Sequence, residues 1–181
     1  MRKDSGRFSN LTLLTVFLSA LVLLTVGILF LDPLEKFREN RDRKRIEALE
    51  LLDRAIQFYL KNNAADPRLC EGCASGTMFS HQPISIAGQT PQVIERTEVG
   101  GTGWVPIDLS LNAGLNKTPL LKLPIDPLNS DPYVYVFTVG VGGKFKLSAR
   151  LEATKNSSLM ENDGGNHGDL YELGTQPSSP P

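Results

Sequence analysis

Three groupings in this chain place chemically capable residues close enough to act together. The first is the pair Cys70-Glu-Gly-Cys73. A redox dithiol of this form needs a cysteine at a helix N-terminus in a βαβ setting, and the flanking residues show no such pattern. Structural zinc needs two further ligands, and the two histidines, His81 and His167, lie far apart in sequence. In an oxidising compartment the thiols of Cys70 and Cys73 close a local disulfide that pins the loop around them.

The second grouping is Asn162-Asp-Gly-Gly-Asn-His-Gly-Asp169. Asn162, Asp163 and Asp169 offer hard oxygen ligands around flexible glycines, a donor set that suits Ca²⁺. The spacing is not that of an EF-hand, and the same residue types also build an ordinary polar surface turn. The third grouping is Ser80-His81, with no acid or oxyanion motif attached. The chain also lacks G-x-S-x-G, a phosphate-binding loop and H-E-x-x-H. No enzyme is expected. Trp104, Tyr133 and Tyr135 are read as filling a small core. Asn10-Leu-Thr, Asn116-Lys-Thr and Asn156-Ser-Ser match the glycosylation triplet, a pattern frequent by chance.

The elements that position these residues follow from composition and patterning. The chain has 181 residues, 40% hydrophobic and 22% charged, which suits one ordinary domain plus extras. It excludes a collagen-like, disulfide-dense or wholly disordered chain. Lysine and arginine number 19 against 20 acids, a net charge of -1, so the basic face that nucleic-acid binding needs is missing.

Much of the apolar content sits in one block, Leu11 to Leu31, with no charge, no proline and one glycine. At about 1.5 Å per residue a helix of that length covers the roughly 30 Å hydrocarbon core of a bilayer. Its polar residues are threonine and serine, whose hydroxyls can bond back to helix carbonyls. The run is too long for the apolar part of a signal peptide, and Phe30-Leu31-Asp32-Pro33 offers no small-residue cleavage site. An uncleaved membrane-spanning helix is expected over 11–31, preceded by a short N-terminal tail, 1–10. Orientation by charge is contested. Arg2, Lys3 and Arg7 precede the span, whereas Lys36, Arg38, Arg41, Arg43, Lys44 and Arg45 follow it.

Residues 32–62 continue as an amphipathic helix. Ile46, Leu49, Leu52, Ile56 and Tyr59 recur every three or four positions, and Glu39/Arg43 and Glu50/Arg54 pair at i,i+4. The charged run 38–45 reads as a solvated helix face. Residues 63–173 form a loop-rich β domain. Within it Val105–Leu111 reads as a short extended segment, and Leu123–Pro132 as a proline-stiffened turn. The runs 133–139 and 144–152 form an antiparallel hairpin around Gly140-Val-Gly-Gly143. Phe145, Leu147, Ala149 and Leu151 make its buried face, which the amphipathic helix covers, and Lys144, Lys146, Ser148, Arg150 and Glu152 make a wet one. Leu170–Leu173 is a short edge segment, and 174–181 has the composition of a disordered tail. The fold class is α+β: a long N-terminal helix packed on a small antiparallel sheet.

This order resembles the type IV pilin-like superfamily, and most closely the major-type pseudopilins of type II secretion systems. The resemblance rests on the 41–45 run leading into a helix that ends Phe58-Tyr59-Leu60. It rests also on Leu123-Pro-Ile-Asp-Pro127 followed by Tyr133-Val-Tyr135, and on the Asn162–Asp169 loop. It implies a structural component of a bacterial envelope assembly whose partners are the lipid bilayer and other pilin-like subunits or inner-membrane components. It also implies a domain outside the cytoplasmic membrane, hence a single pass with the N-terminus inside. In pseudopilins the region matching Asn162–Asp169 binds calcium. The front departs from the family pattern. Gly6 is followed by Arg7 and Phe8, no acid lies within 11–31, and Thr12 stands where the family carries a glutamate. A lipid-buried carboxylate is costly unless paired, and in this family it is thought to pair with a neighbour's amino terminus. The expectation is a pilin-like protein that stays membrane-anchored or is a minor subunit, with a non-assembling tethered binding module as the alternative.

Overall fold

The computed structural model describes residues 10–64, 68–86, 88–110 and 120–175, the side chains of 26 and 28–31 apart. The readings placed on Gly6–Phe8, Leu111, the Asn116 triplet and the tail beyond Thr175 lie outside the described residues.

Helix α1 (Asn10–Leu31) is built from leucine and other apolar residues, without an acid in its first turn or a base in its last. Its hydroxyls are satisfied inside the helix: Thr15 donates to the Thr12 carbonyl at 2.9 Å, Ser19 to Val16 at 2.9 Å and Thr25 to Val22 at 2.8 Å. Apolar side chains are exposed around the helix, Leu11, Phe17 and Leu23 at 69%, 65% and 72%. Among the described residues no helix is long and apolar enough to cross a membrane.

Asp32 ends α1 with a positive φ of 34° and starts helix α2 (Pro33–Asn62). Its Oδ1 accepts from the Glu35 amide at 3.2 Å, and Pro33 follows at the first helical position, where a missing N–H costs nothing. The chain divides into two units, Met1–Phe37 and Arg38–Pro181. In the second, α2 presents Leu49, Leu52, Ala55 and Ile56 as a buried stripe, as the periodicity predicts. Each of the larger side chains contributes roughly 1.5–3 kcal/mol of burial.

The described sheet has the order β2-β1-β3-β4-β5: β1 (Met78–Ser80), β2 (Gln92–Val93), β3 (Val136–Val139), β4 (Phe145–Ala149) and β5 (Tyr171–Gly174). The expected hairpin is present as β3 and β4, with Phe137 opposite Leu147 and Val139 opposite Phe145. The sheet is mixed rather than purely antiparallel, because β1 and β2 pair in parallel. Both strands arise in a stretch read only as loop-rich. They are too short for a two-residue period to stand out from their Gly/Pro-rich surroundings. Val105–Leu109 joins no strand. A single bridge, Gly100 with Asp108, holds it, while Ile107 and Leu109 are buried. A one-turn helix α3 (Ser157–Glu161) was not anticipated.

Phe79, Tyr135, Phe137, Phe145, Leu147 and Ala149 pack with the α2 stripe and Trp104 in one core. The opposite face is not wet as expected. Met78, Val134 and Val136 are covered there by Ile84, Ile86 and Leu170, and Lys146, Ser148 and Glu172 are also buried. Two loops, one before β2 and one before β5, fold over what alternation alone presents as a solvent face.

Candidate functional site

The charged run at the start of α2 does not lie wholly in solvent. Asp42 and Arg45, one turn apart on the face that meets the β domain, are fully buried. Arg45 donates from Nε to Asp126 Oδ2 at 2.6 Å, from Nη2 to Asp126 Oδ1 at 3.0 Å and from Nη1 to Asp42 Oδ1 at 2.9 Å. Its Nη1 also donates to Glu152, and its guanidinium lies 4.8 Å over the Tyr133 ring. Arg41, part-exposed, reaches the same Glu152 through Nε at 2.7 Å.

The carboxylates are held equally well from the backbone. Asp42 accepts from the amides of Glu152 and Ala153, each at 2.8 Å, and from Asn156 Nδ2 at 2.8 Å. Asp126 Oδ1 accepts from the Leu128 amide at 2.8 Å, closing the turn that Pro124 and Pro127 stiffen. Burial disfavours charge on Arg45, but the hydrogen bonds it donates to Asp126, Glu152 and Asp42 more than offset it, and its pKa rises above the ordinary value. Burial likewise opposes ionisation of Glu152, and the hydrogen bonds from Arg41 and Arg45 hold it below the ordinary carboxylate range. This cluster fastens α2, the 123–132 turn and the strand-exit segment 151–156 to one another. Trp104 adds a second clamp on that turn, donating from Nε1 to the Pro124 carbonyl at 3.1 Å. Tyr135 joins the core beside it, whereas Tyr133 serves the arginine.

A second buried ion pair sits on the far face of the sheet. Lys146 and Glu172 are diagonal neighbours on β4 and β5, exposed by 3% and 0%. The ammonium lies 2.9 Å from Glu172 Oε1 and donates to Asn166 Oδ1 at 2.9 Å. Glu172 Oε2 accepts from the amides of Asn166 at 2.8 Å and His167 at 2.9 Å. Asp163 accepts from the Gly165 amide at 2.7 Å and the Glu172 amide at 2.6 Å.

The three residues read as a calcium set take separate partners. Asp163 holds those amides, Asn162 Nδ2 donates to the Ser158 carbonyl at 2.7 Å, and Asp169 pairs with Arg150. Among the described residues no group of three or more His, Cys, Asp or Glu side chains could hold a metal ion. Cys70 and Cys73 form a disulfide in the loop after α2, against the main core. Ser80 donates to the Gln82 carbonyl at 2.8 Å, and His81 Nδ1 meets Asn129 Nδ2 at 3.0 Å, so the adjacent pair makes no nucleophile–base contact. A cleft of about 190 Å³ between Ile84–Ile86 and His167–Leu170 is floored by Pro132 and Arg150.

Sequence reasoning missed Asp42, Arg45, Lys146 and Glu172 as buried groups. One signal was available for the first pair: they stand at i,i+3, in register with the Leu49–Leu52 stripe. No family model matches this chain, and neither a curated protein nor a solved structure matches it.

Proposed function

We propose that the chain is a membrane-anchored, pilin-like structural component of a bacterial type II secretion or type IV pilus-like envelope assembly. One observation carries this reading. The Leu49–Ile56 stripe of α2 packs on a largely antiparallel sheet, and in sequence α2 directly follows a helix that is apolar on every side. A helix without a polar stripe needs an apolar environment, supplied by lipid or by neighbouring helices. The α2–sheet layer would then present a domain on the outer side of the cytoplasmic membrane, with the N-terminus inside. Binding energy would come from lateral helix packing with other pilin-like subunits, and no catalysis is assigned.

The test is expression of the full chain in a bacterium carrying such an assembly, followed by carbonate extraction and mild-detergent co-purification. Retention in the membrane with other pilin-like subunits is expected. Release by carbonate, or a solitary monomer, overturns the proposal. Labelling of Cys70 and Cys73 by an impermeant thiol reagent after reduction of intact cells places the domain outside, and an absence of labelling would put it in the cytoplasm.

A second reading, a tethered extracytoplasmic binding module that never assembles, is favoured by the lack of any acid within 11–31. Mass spectrometry of the amino terminus separates the two. A methylated chain starting at Arg7 or Phe8 belongs to assembly, and an intact Met1 to the tether.

A further inference from the structure

The buried ammonium of Lys146 is out of place on ordinary grounds. A charge on the covered face of a sheet is costly unless its neighbours are built for it. Here they are. Glu172 is fully buried, and its two oxygens are used differently. Oε2 takes two backbone amides, whereas Oε1 has no hydrogen-bond partner, and its 2.9 Å contact with Lys146 Nζ is an ion pair out of hydrogen-bond alignment. Such an oxygen answers to a nearby positive charge more than to a directed donor.

A second carboxylate stands beside Glu172, and both oxygens of Asp163 are taken by backbone amides. A methyl group set on Gly165 would lie 2.2 Å from Glu172 Oε2 and 2.8 Å from Asp163 Oδ1, so that glycine is where both acids crowd the backbone. Asn166 adds a neutral oxygen toward the ammonium. Around the enclosed ammonium stand Glu172 Oε1 and Asn166 Oδ1, hard oxygens of the kind a divalent cation takes, and the cation present is the chain's own.

We propose that Lys146 is the resident cation that closes the 163–172 loop, held by Glu172 and Asn166. On this proposal the loop closes over the sheet through that ammonium, without a divalent metal. This does not rest on the membrane or assembly reading, since it concerns the loop alone.

The test is hydrogen exchange at the amides of Gly165, Asn166, His167 and Glu172 in the full chain held in detergent micelles. Wild-type protection is expected to be the same with calcium chloride and with EDTA. Lys146→Met should speed exchange at these four amides by roughly a hundredfold or more, leaving β3 protected. Lys146→Met/Glu172→Gln, with both charges gone, should recover most of that protection. Calcium-dependent protection in the wild type overturns the proposal. So does a double variant as damaged as Lys146→Met.

Discussion

Arg45 on α2 and Asp126 in the 123–132 turn, far apart in sequence, form a two-point guanidinium–carboxylate pair with both side chains buried. Parallel donation through Nε and Nη2 fixes the distance between helix and turn and also their relative rotation, which a lysine could not do. The remaining donors of Arg45 reach Asp42 and Glu152, so one side chain ties α2 to both the 123–132 turn and the 151–156 segment.

Arg45→Met therefore strands two buried carboxylates. The expected loss is about 3–5 kcal/mol in denaturant unfolding of the full chain, against under about 1 kcal/mol for Arg41→Ala, whose side chain is 30% exposed. Equal losses would mean that burial is not what makes Arg45 matter.

Acid should weaken the fold through Glu152. Its folded carboxyl is more acidic than usual, because Arg41 and Arg45 outweigh its burial. As pH falls the unfolded chain binds the proton first, so the contribution is present above about pH 4 and is lost as pH drops through the folded value. Glu152→Gln should flatten the melting temperature against pH below about pH 5, where the wild type slopes; parallel profiles would remove Glu152 from the acid response.

Asp53 has the opposite sign. Burial raises its pKa, and Oδ1 has no hydrogen-bond partner although Oδ2 accepts from Gln57 at 2.7 Å. The folded state holds this proton more tightly, so stability falls as pH rises from about 4 through the folded value. Asp53→Asn should raise stability at neutral pH by up to about 1 kcal/mol, with the gain vanishing in acid. Thermal melts at two pH values decide it.

Gly165→Ala places a methyl group 2.2 Å from a Glu172 oxygen. The expected cost is about 1–3 kcal/mol, with exchange quickening in the 163–172 loop before the α2 core, as read by residue-level hydrogen exchange.

The disulfide closes a loop with a sequence separation of 3, worth roughly 2 kcal/mol by chain entropy. Leu52→Ala, at 0% exposure, should cost about 2–5 kcal/mol. Cys70→Ser/Cys73→Ser should therefore melt no lower than Leu52→Ala in non-reducing buffer, and the reverse order would make the loop, not the helix stripe, the main tie.

The Leu49–Ile56 stripe, the β3–β4 hairpin and the Phe145/Leu147/Ala149 face were legible in the chain alone. Each is a local pattern, in which a period of 3.6 or 2 names both the element and the face it must bury. The burial of Arg45, Lys146 and Glu172 was not legible, because a charge goes inside only where opposite charges and backbone donors converge on it. Arg45 finds Asp126 81 positions away, and Lys146 meets Asn166 across a loop. The parallel β1–β2 pair and the cover over the sheet's second face likewise depend on where connections run. Sequence by itself determined the two long helices, the β3–β4 hairpin, and the core-facing side of α2 and of that hairpin. Only the tertiary structure decided which charges are interior, since partners distant along the chain must first be brought within hydrogen-bond reach before a buried ion becomes affordable.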